Sequence, residues 1–179
     1  MAQDSYKQHC RQEADTAGFA KKLAASLRDF FLLHPRAHLN ISLEGELGAG
    51  KTTFARYLIQ ALGFSGRVKS PTYTLCEPYP LNMSNPDDSK NPNIVANHFD
   101  LYRMRDPLEW QEAGFAENFD EAGFCLVEWP DKAAGTLPPF DITIQLSSGS
   151  DENAREISIS AISQDGVNIL ESLFSGENE

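Results

Sequence analysis

The stretch His38-Leu39-Asn40-Ile41-Ser42-Leu43-Glu44-Gly45-Glu46-Leu47-Gly48-Ala49-Gly50-Lys51-Thr52-Thr53-Phe54-Ala55 decides the fold class. Leu39, Ile41 and Leu43 alternate with His38, Asn40 and Ser42, a period of two that predicts a strand. The glycine-rich run Gly45–Gly50 ends it. From Thr52 onward Phe54, Ala55, Leu58, Ile59 and Leu62 recur at helical spacing, and Gly63 stands where a left-handed C-terminal cap is expected. A strand, a glycine-rich turn and a helix in that order form the start of an α/β unit.

Within it, Gly45 to Thr52 matches the pattern G-x-x-x-x-G-K-[ST] without a mismatch. Such a loop has little side-chain bulk, so successive backbone N–H groups converge on phosphate oxygens while the new helix points its positive dipole end at the same anion. Lys51 is placed to reach the β- and γ-phosphates, and the Thr52 hydroxyl to enter the shell of a magnesium ion. That chemistry also needs carboxylates at the cation and at the attacking water. Two acids stand at ends of predicted strands: Glu128 after the apolar run Phe124–Val127, and Asp100 in His98-Phe99-Asp100-Leu101-Tyr102-Arg103. Either is also readable as a solvated acid at a strand terminus. Ser70-Pro71-Thr72-Tyr73-Thr74 follows the second helix, where a nucleotide-sensing loop or an ordinary turn would lie. Arg56, Arg103 and Arg105 read as surface charges, His98 as a packed or hydrogen-bonded strand histidine, and Trp110 and Trp129 as either core or partner contacts.

Working outward, Phe19, Ala20, Leu23, Leu27, Phe30 and Phe31 predict a first helix, capped by Asp15 or Thr16 and ended by His34-Pro35. Val68–Leu75 suits an edge strand or extended loop because of Pro71. Pro80–Asn93 reads as a mobile surface loop, Ile94–Tyr102 as a strand and Pro107–Phe119 as a helix with some loop. Ile142, Ile144 and Leu146, then Ile157 and Ile159 across a polar turn, predict a hairpin, and Val167–Phe174 a final helix. The expectation is a single P-loop NTPase-like α/β domain over residues 13–179, with residues 1–12 a flexible leader. It has a mainly parallel central sheet, helices on both faces and a C-terminal antiparallel hairpin.

The 179 residues carry 41% hydrophobic and 23% charged residues, which excludes wholesale disorder and a membrane-embedded chain. Fifteen Lys+Arg against 26 Asp+Glu leave a formal −11. Gripping a nucleic-acid backbone relies on a basic field, so a protein partner fits this charge better than naked RNA. Cys10, Cys76 and Cys125 form neither a zinc spacing nor a disulfide framework. The N-terminus lacks an apolar signal stretch, and the expected location is the cytoplasm, without a membrane association.

Five blocks together resemble the TsaE (formerly YjeE) family: Leu47–Thr53, Lys69–Leu75, His98–Arg103, Asp106–Glu109 with Gly114 after it, and Glu128–Pro130. The second, third and fifth in combination are specific. The resemblance implies a small bacterial P-loop ATPase required for making threonylcarbamoyladenosine in tRNA. It implies ATP bound at Gly48, Ala49, Gly50, Lys51, Thr52 and Thr53, Mg²⁺ at Thr52 and Glu128, and Asp100 near the metal or the attacking water. Ser70–Thr74 becomes the switch segment, and by position Thr16 and Asp131 lie near the nucleotide. The implied partners are the TsaD and TsaB proteins, with tRNA engaged indirectly. Two stretches depart from the family pattern, the longer Pro80–Asn97 segment and Met104-Arg105. Among rival readings, a GTPase would carry an Asn-Lys-x-Asp motif, which is absent. A small-molecule kinase with the same loop stays an alternative, although it usually carries an arginine-bearing lid and the long loop here is poor in arginine. Leu146–Ser150 faintly matches a transporter-ATPase signature but falls in the predicted hairpin turn. A nucleotide-gated binding module is the alternative from a different class.

Overall fold

In the computed structural model, which describes residues 4–83 and 93–175, seven strands form one sheet in the order β1-β7-β6-β2-β5-β4-β3. The strands are β1 (Ser5–Cys10), β2 (His38–Glu44), β3 (Cys76–Asn82), β4 (Asn93–Asp100), β5 (Gly123–Glu128), β6 (Ile142–Ser148) and β7 (Arg155–Ala161). β6, β2, β5 and β4 run parallel, while β3, β7 and β1 join antiparallel at the two edges. Parallel strands end at one side of the sheet, so β2, β4 and β5 deliver the phosphate-loop start, Asp100 and Glu128 to the same edge.

Helices α1 (Glu13–Leu33), α2 (Lys51–Ala61) and α4 (Gln164–Ser175) supply one core, closing over Leu39, Ile41, Phe124, Leu126 and Ile144. The opposite face of β4 and β5 is covered by short elements: α3 (Glu109–Glu112) and 3₁₀ turns at Ala116–Phe119 and Pro130–Ala133. Phe99, Cys125 and Val127 pack there with Trp110 and Phe119. The mixed α/β fold with a parallel centre, helices on both faces and a C-terminal hairpin therefore stands as expected. β2 is buried on both faces, which its alternating polar residues did not suggest. Its polar positions are satisfied instead: Ser42 Oγ donates to Thr143 Oγ1 at 3.1 Å and Asn40 Nδ2 to the Pro139 carbonyl at 3.2 Å.

Helix α1 begins two residues before the expected cap, with Gln12 as N-cap and Asp15 reaching back to the Arg11 and Gln12 amides at 3.0 and 3.2 Å. It ends at His34 as expected. Helix α2 ends in the predicted glycine cap: Gly63 has φ +105°, Phe64 N–H donates to the Ile59 carbonyl and Gly63 N–H to that of Gln60.

The flexible leader is corrected over residues 5–10. A polar pattern without an apolar stretch is what an edge strand needs when its ladder bonds supply the cohesion, and β1 pairs with β7 from Ser5↔Ser160 to Cys10↔Arg155. Pro80–Asn82, expected in a loop, belongs to β3; there Pro78 and Pro80, two residues apart on an edge strand, point their missing N–H groups away from β4. The rest of that expected loop, residues 84–92, lies outside the described residues. The Pro107–Phe119 helix is broken by Gly114, at φ +87°, into α3 and a 3₁₀ turn.

Candidate functional site

The loop after β2 is shaped by backbone conformations that only glycine adopts freely. At Gly45 (φ +151°) an added Cβ would stand 2.4 Å from the Leu146 carbonyl oxygen, and at Gly50 (φ +97°) 3.3 Å from Arg155 Nε. Gly50 is also the N-cap of α2 and offers no side chain to its first-turn amides. Those N–H groups remain directed at whatever anion enters the loop.

Lys51, 5% exposed, folds back so that Nζ donates to the Gly45 carbonyl at 2.5 Å and the Glu46 carbonyl at 2.8 Å. Its ammonium also lies 4.1 Å from the Trp129 ring centroid. Trp129 reaches that position from a left-handed backbone (φ +58°), a strained conformation for a bulky residue immediately after Glu128. Burial pulls the Lys51 ammonium below its usual pKa, against the opposing pull of Glu128, Asp100 and Asp131.

Thr52 Oγ1 donates to both Glu128 oxygens, at 3.0 and 3.1 Å, and His98 Nε2 meets Glu128 Oε2 at 2.6 Å. Glu128 and Asp100 are buried, 2% and 6% exposed, and opposite one another in the β4–β5 register. Tyr102 N–H donates to Asp100 Oδ1 at 3.1 Å. Burial first, then the charge of Glu128, raises the Asp100 carboxyl above the ordinary aspartate range. A hydroxyl and two carboxylates, all hard oxygen donors, suit a small divalent cation that keeps waters and takes phosphate oxygens as further ligands. The residues present therefore fit both a phosphate tail and magnesium.

One cavity of about 480 Å³ brings together Gly48, Gly50, Lys51, Thr52, Thr53, Thr72, Asp100 and Glu128, with Leu47, Tyr102, Arg103, Trp129 and Arg155. Thr16 lies apart from it, in an adjoining cavity of about 200 Å³ beside Gly50, Thr53, Tyr57 and Arg155. Ala49 is buried and turns toward a larger hollow beside β6 and β7. Asp131 is exposed and lines neither of these two cavities, although its charge acts on Lys51. Of Ser70–Thr74, only Thr72 faces the main cavity, bonded to Ser70 through their hydroxyls at 2.6 Å. Pro71 is buried, Thr74 donates to Glu77 at 3.1 Å, and Tyr73 is 84% exposed with the Arg103 guanidinium 4.5 Å from its ring centroid. Arg56 faces solvent as expected, and Trp110 is core, its Nε1 donating to Thr136 Oγ1 at 2.8 Å.

Sequence reasoning missed Arg155, which touches the loop from β7. One signal was available: it is the single basic residue between Asp141 and Glu179, among eight acids. For His98 the signal was parity, since positions 98, 100 and 128 share one face when β4 and β5 pair in parallel. Nothing in the sequence revealed that Trp129 walls the lysine.

The family described as "Threonylcarbamoyl adenosine biosynthesis protein TsaE" matches residues 10–157. The chain is 38% identical to the tRNA threonylcarbamoyladenosine biosynthesis protein TsaE of Haemophilus influenzae, over 93% of this chain and 96% of that protein. It is 35% identical to the protein of the same name from Bacillus subtilis, over 77% and 79% of the two chains. The crystal structure of Bacillus subtilis YdiB superposes with a TM-score of 0.72 at 28% identity, covering 97% of each chain.

Proposed function

The chain belongs to the TsaE family of threonylcarbamoyladenosine biosynthesis proteins, and from that premise we propose that it is an ATP-binding, magnesium-dependent ATPase subunit. It acts in the cytoplasm on a complex of the TsaD and TsaB proteins that modifies the tRNA adenosine next to the anticodon. The observation that carries this reading is the contact of Thr52 Oγ1 with the Glu128 carboxylate beside the phosphate loop. It joins the first turn of α2 to the end of β5, where hydrolysis of a phosphoanhydride needs a hydroxyl and a carboxylate together.

Lys51 exchanges its loop carbonyls for phosphate oxygens, and the uncapped amides of α2 hold the same anion. Thr52, Glu128 and Asp100 would hold magnesium, which when bound would supply charge neutralisation for the phosphate tail. Asp100, buried opposite Glu128 and held by the Tyr102 amide, is placed to orient the attacking water. Thr72 faces the cavity and couples it to the exposed Tyr73, so occupation of the γ-phosphate position is read at the surface. The formal charge of −11 favours protein partners over direct contact with tRNA.

The test measures ATP hydrolysis by the chain alone and with the TsaD–TsaB pair, and scores tRNA modification over repeated turnovers. Slow hydrolysis that rises in the complex, and modification that stalls without this chain, is the expected result. Unchanged modification at limiting TsaD–TsaB without the chain overturns the assignment to tRNA modification. Tight ATP binding with no turnover in any mixture replaces the ATPase by a nucleotide-gated module.

A further inference from the structure

His98 is fully buried, and its imidazole is in contact with Glu128, yet neither binding nor hydrolysis as described above uses it. β4 and β5 pair in parallel with His98↔Leu126 and Asp100↔Glu128, so His98 lies diagonally across from Glu128 on the face that carries α2. Both side chains are out of solvent, 0% and 2% exposed, and Nε2 lies 2.6 Å from Oε2. An ionised carboxylate only accepts hydrogen bonds, so the proton of this contact sits on Nε2.

Nδ1 is buried with no hydrogen-bond partner among the described residues. The contact with Glu128 is therefore the one hydrogen bond that orients the ring among the described residues. Thr52 does not discriminate between the two Glu128 oxygens, at 3.0 and 3.1 Å. His98 does, because it binds Oε2. It also holds the carboxylate in place beside Asp100, which lies opposite Glu128 in the β4–β5 register.

We propose that His98 is a positioning residue: its Nε2–H pins Glu128 Oε2, leaving Oε1 aligned on Thr52 and the phosphate loop. The role in turnover rests on the ATPase reading above, whereas the pinning itself does not. Two measurements keep them separate. In the full chain without nucleotide, ¹⁵N NMR of the histidine rings should give His98 a protonated Nε2 hydrogen-bonded to a carboxylate. An unprotonated Nε2 overturns the proposal whatever the enzyme does.

For turnover, His98→Leu removes the donor, and His98→Gln carries a side-chain N–H to nearly the same place. With TsaD–TsaB present, His98→Leu should lower kcat roughly 10- to 100-fold, with KM and ADP affinity within about threefold of the parent. His98→Gln should recover at least about a fifth of the parent kcat. A His98→Leu protein of parental kcat, or a folded His98→Gln protein as slow as His98→Leu, overturns the proposal. If His98→Leu does not fold, the Gln variant and the ring protonation decide. If the parent chain turns over no ATP, the ATPase reading falls alone and the NMR result still decides whether His98 pins Glu128.

Discussion

Arg155 Nε donates to the Ala49 carbonyl at 2.9 Å, tying the first residue of β7 to the phosphate loop across 106 residues of sequence. The same guanidinium donates to the Glu152 and Ala154 carbonyls at 2.8 and 2.7 Å, so it is anchored in the β6–β7 turn and reaches the loop from a fixed base. It lines both the main cavity and the smaller one around Thr16. The loop is thus braced from outside the strand–loop–helix unit that its sequence pattern describes.

Arg155→Met keeps the apolar stem and removes the charged fork. Loss of a charge-assisted hydrogen bond of about 1.5 kcal/mol should weaken ADP binding roughly tenfold. Isothermal titration calorimetry measures this, and an unchanged Kd would mean that the loop holds its shape unaided. Arg155→Lys should restore only part of the affinity, because an ammonium does not reproduce the planar fork.

Lys51 and Glu128 should separate binding from turnover. Lys51→Ala leaves two loop carbonyls without their donor and should reduce ADP affinity by about 100-fold. Glu128→Gln is isosteric and keeps an acceptor for His98; it should bind ADP within about threefold of the parent and lose about 100-fold in kcat. Equal losses of binding in both variants would contradict this division.

The pH dependence of stability follows from Asp100. Burial and the neighbouring Glu128 raise its folded-state pKa above the unfolded value, so the folded protein binds the extra proton and stability falls as pH rises between the two. Ionised Asp100 is therefore a cost at neutral pH that disappears below the unfolded aspartate range. Asp100→Asn keeps an acceptor for Tyr102 N–H and should raise Tm at pH 7 by about 2–4 °C, the response of a domain this size to about 1 kcal/mol. The gain should vanish as pH falls below about 4. A gain that persists in acid would mean that the charge is not its source.

Removing residues 1–10 should destabilise the domain. The deletion strips six ladder pairs from β7, the buried Cys10, and Tyr6, whose ring centroid lies 4.4 Å from that of Phe174 on α4. The loss is on the order of 3 kcal/mol and exposes β7 as a new sheet edge. Urea unfolding should show a lower midpoint, and scattering an increased tendency to associate; an unchanged midpoint would return the segment to the status of a leader.

What the sequence determined by itself was local chemistry with a fixed period. Leu39, Ile41 and Leu43 set a strand, Phe54, Ala55, Leu58 and Ile59 a helix, and the glycines between them a phosphate loop, because each depends on residues within a turn or a pleat. Glu128 and Asp100 were legible as acids at strand ends, and parallel pairing carries strand ends to one edge. Tertiary structure alone decided the contacts across long separations. A run as polar as Ser5–Cys10 becomes a strand only when β7 offers its edge, and Arg155 meets Ala49 only once the hairpin packs beside β2. The ring of Trp129 covers Lys51 through a left-handed backbone that no propensity predicts. Hydrogen bonds and ring contacts of this kind act over a few ångströms, and only the folded chain sets which distant residues come that close.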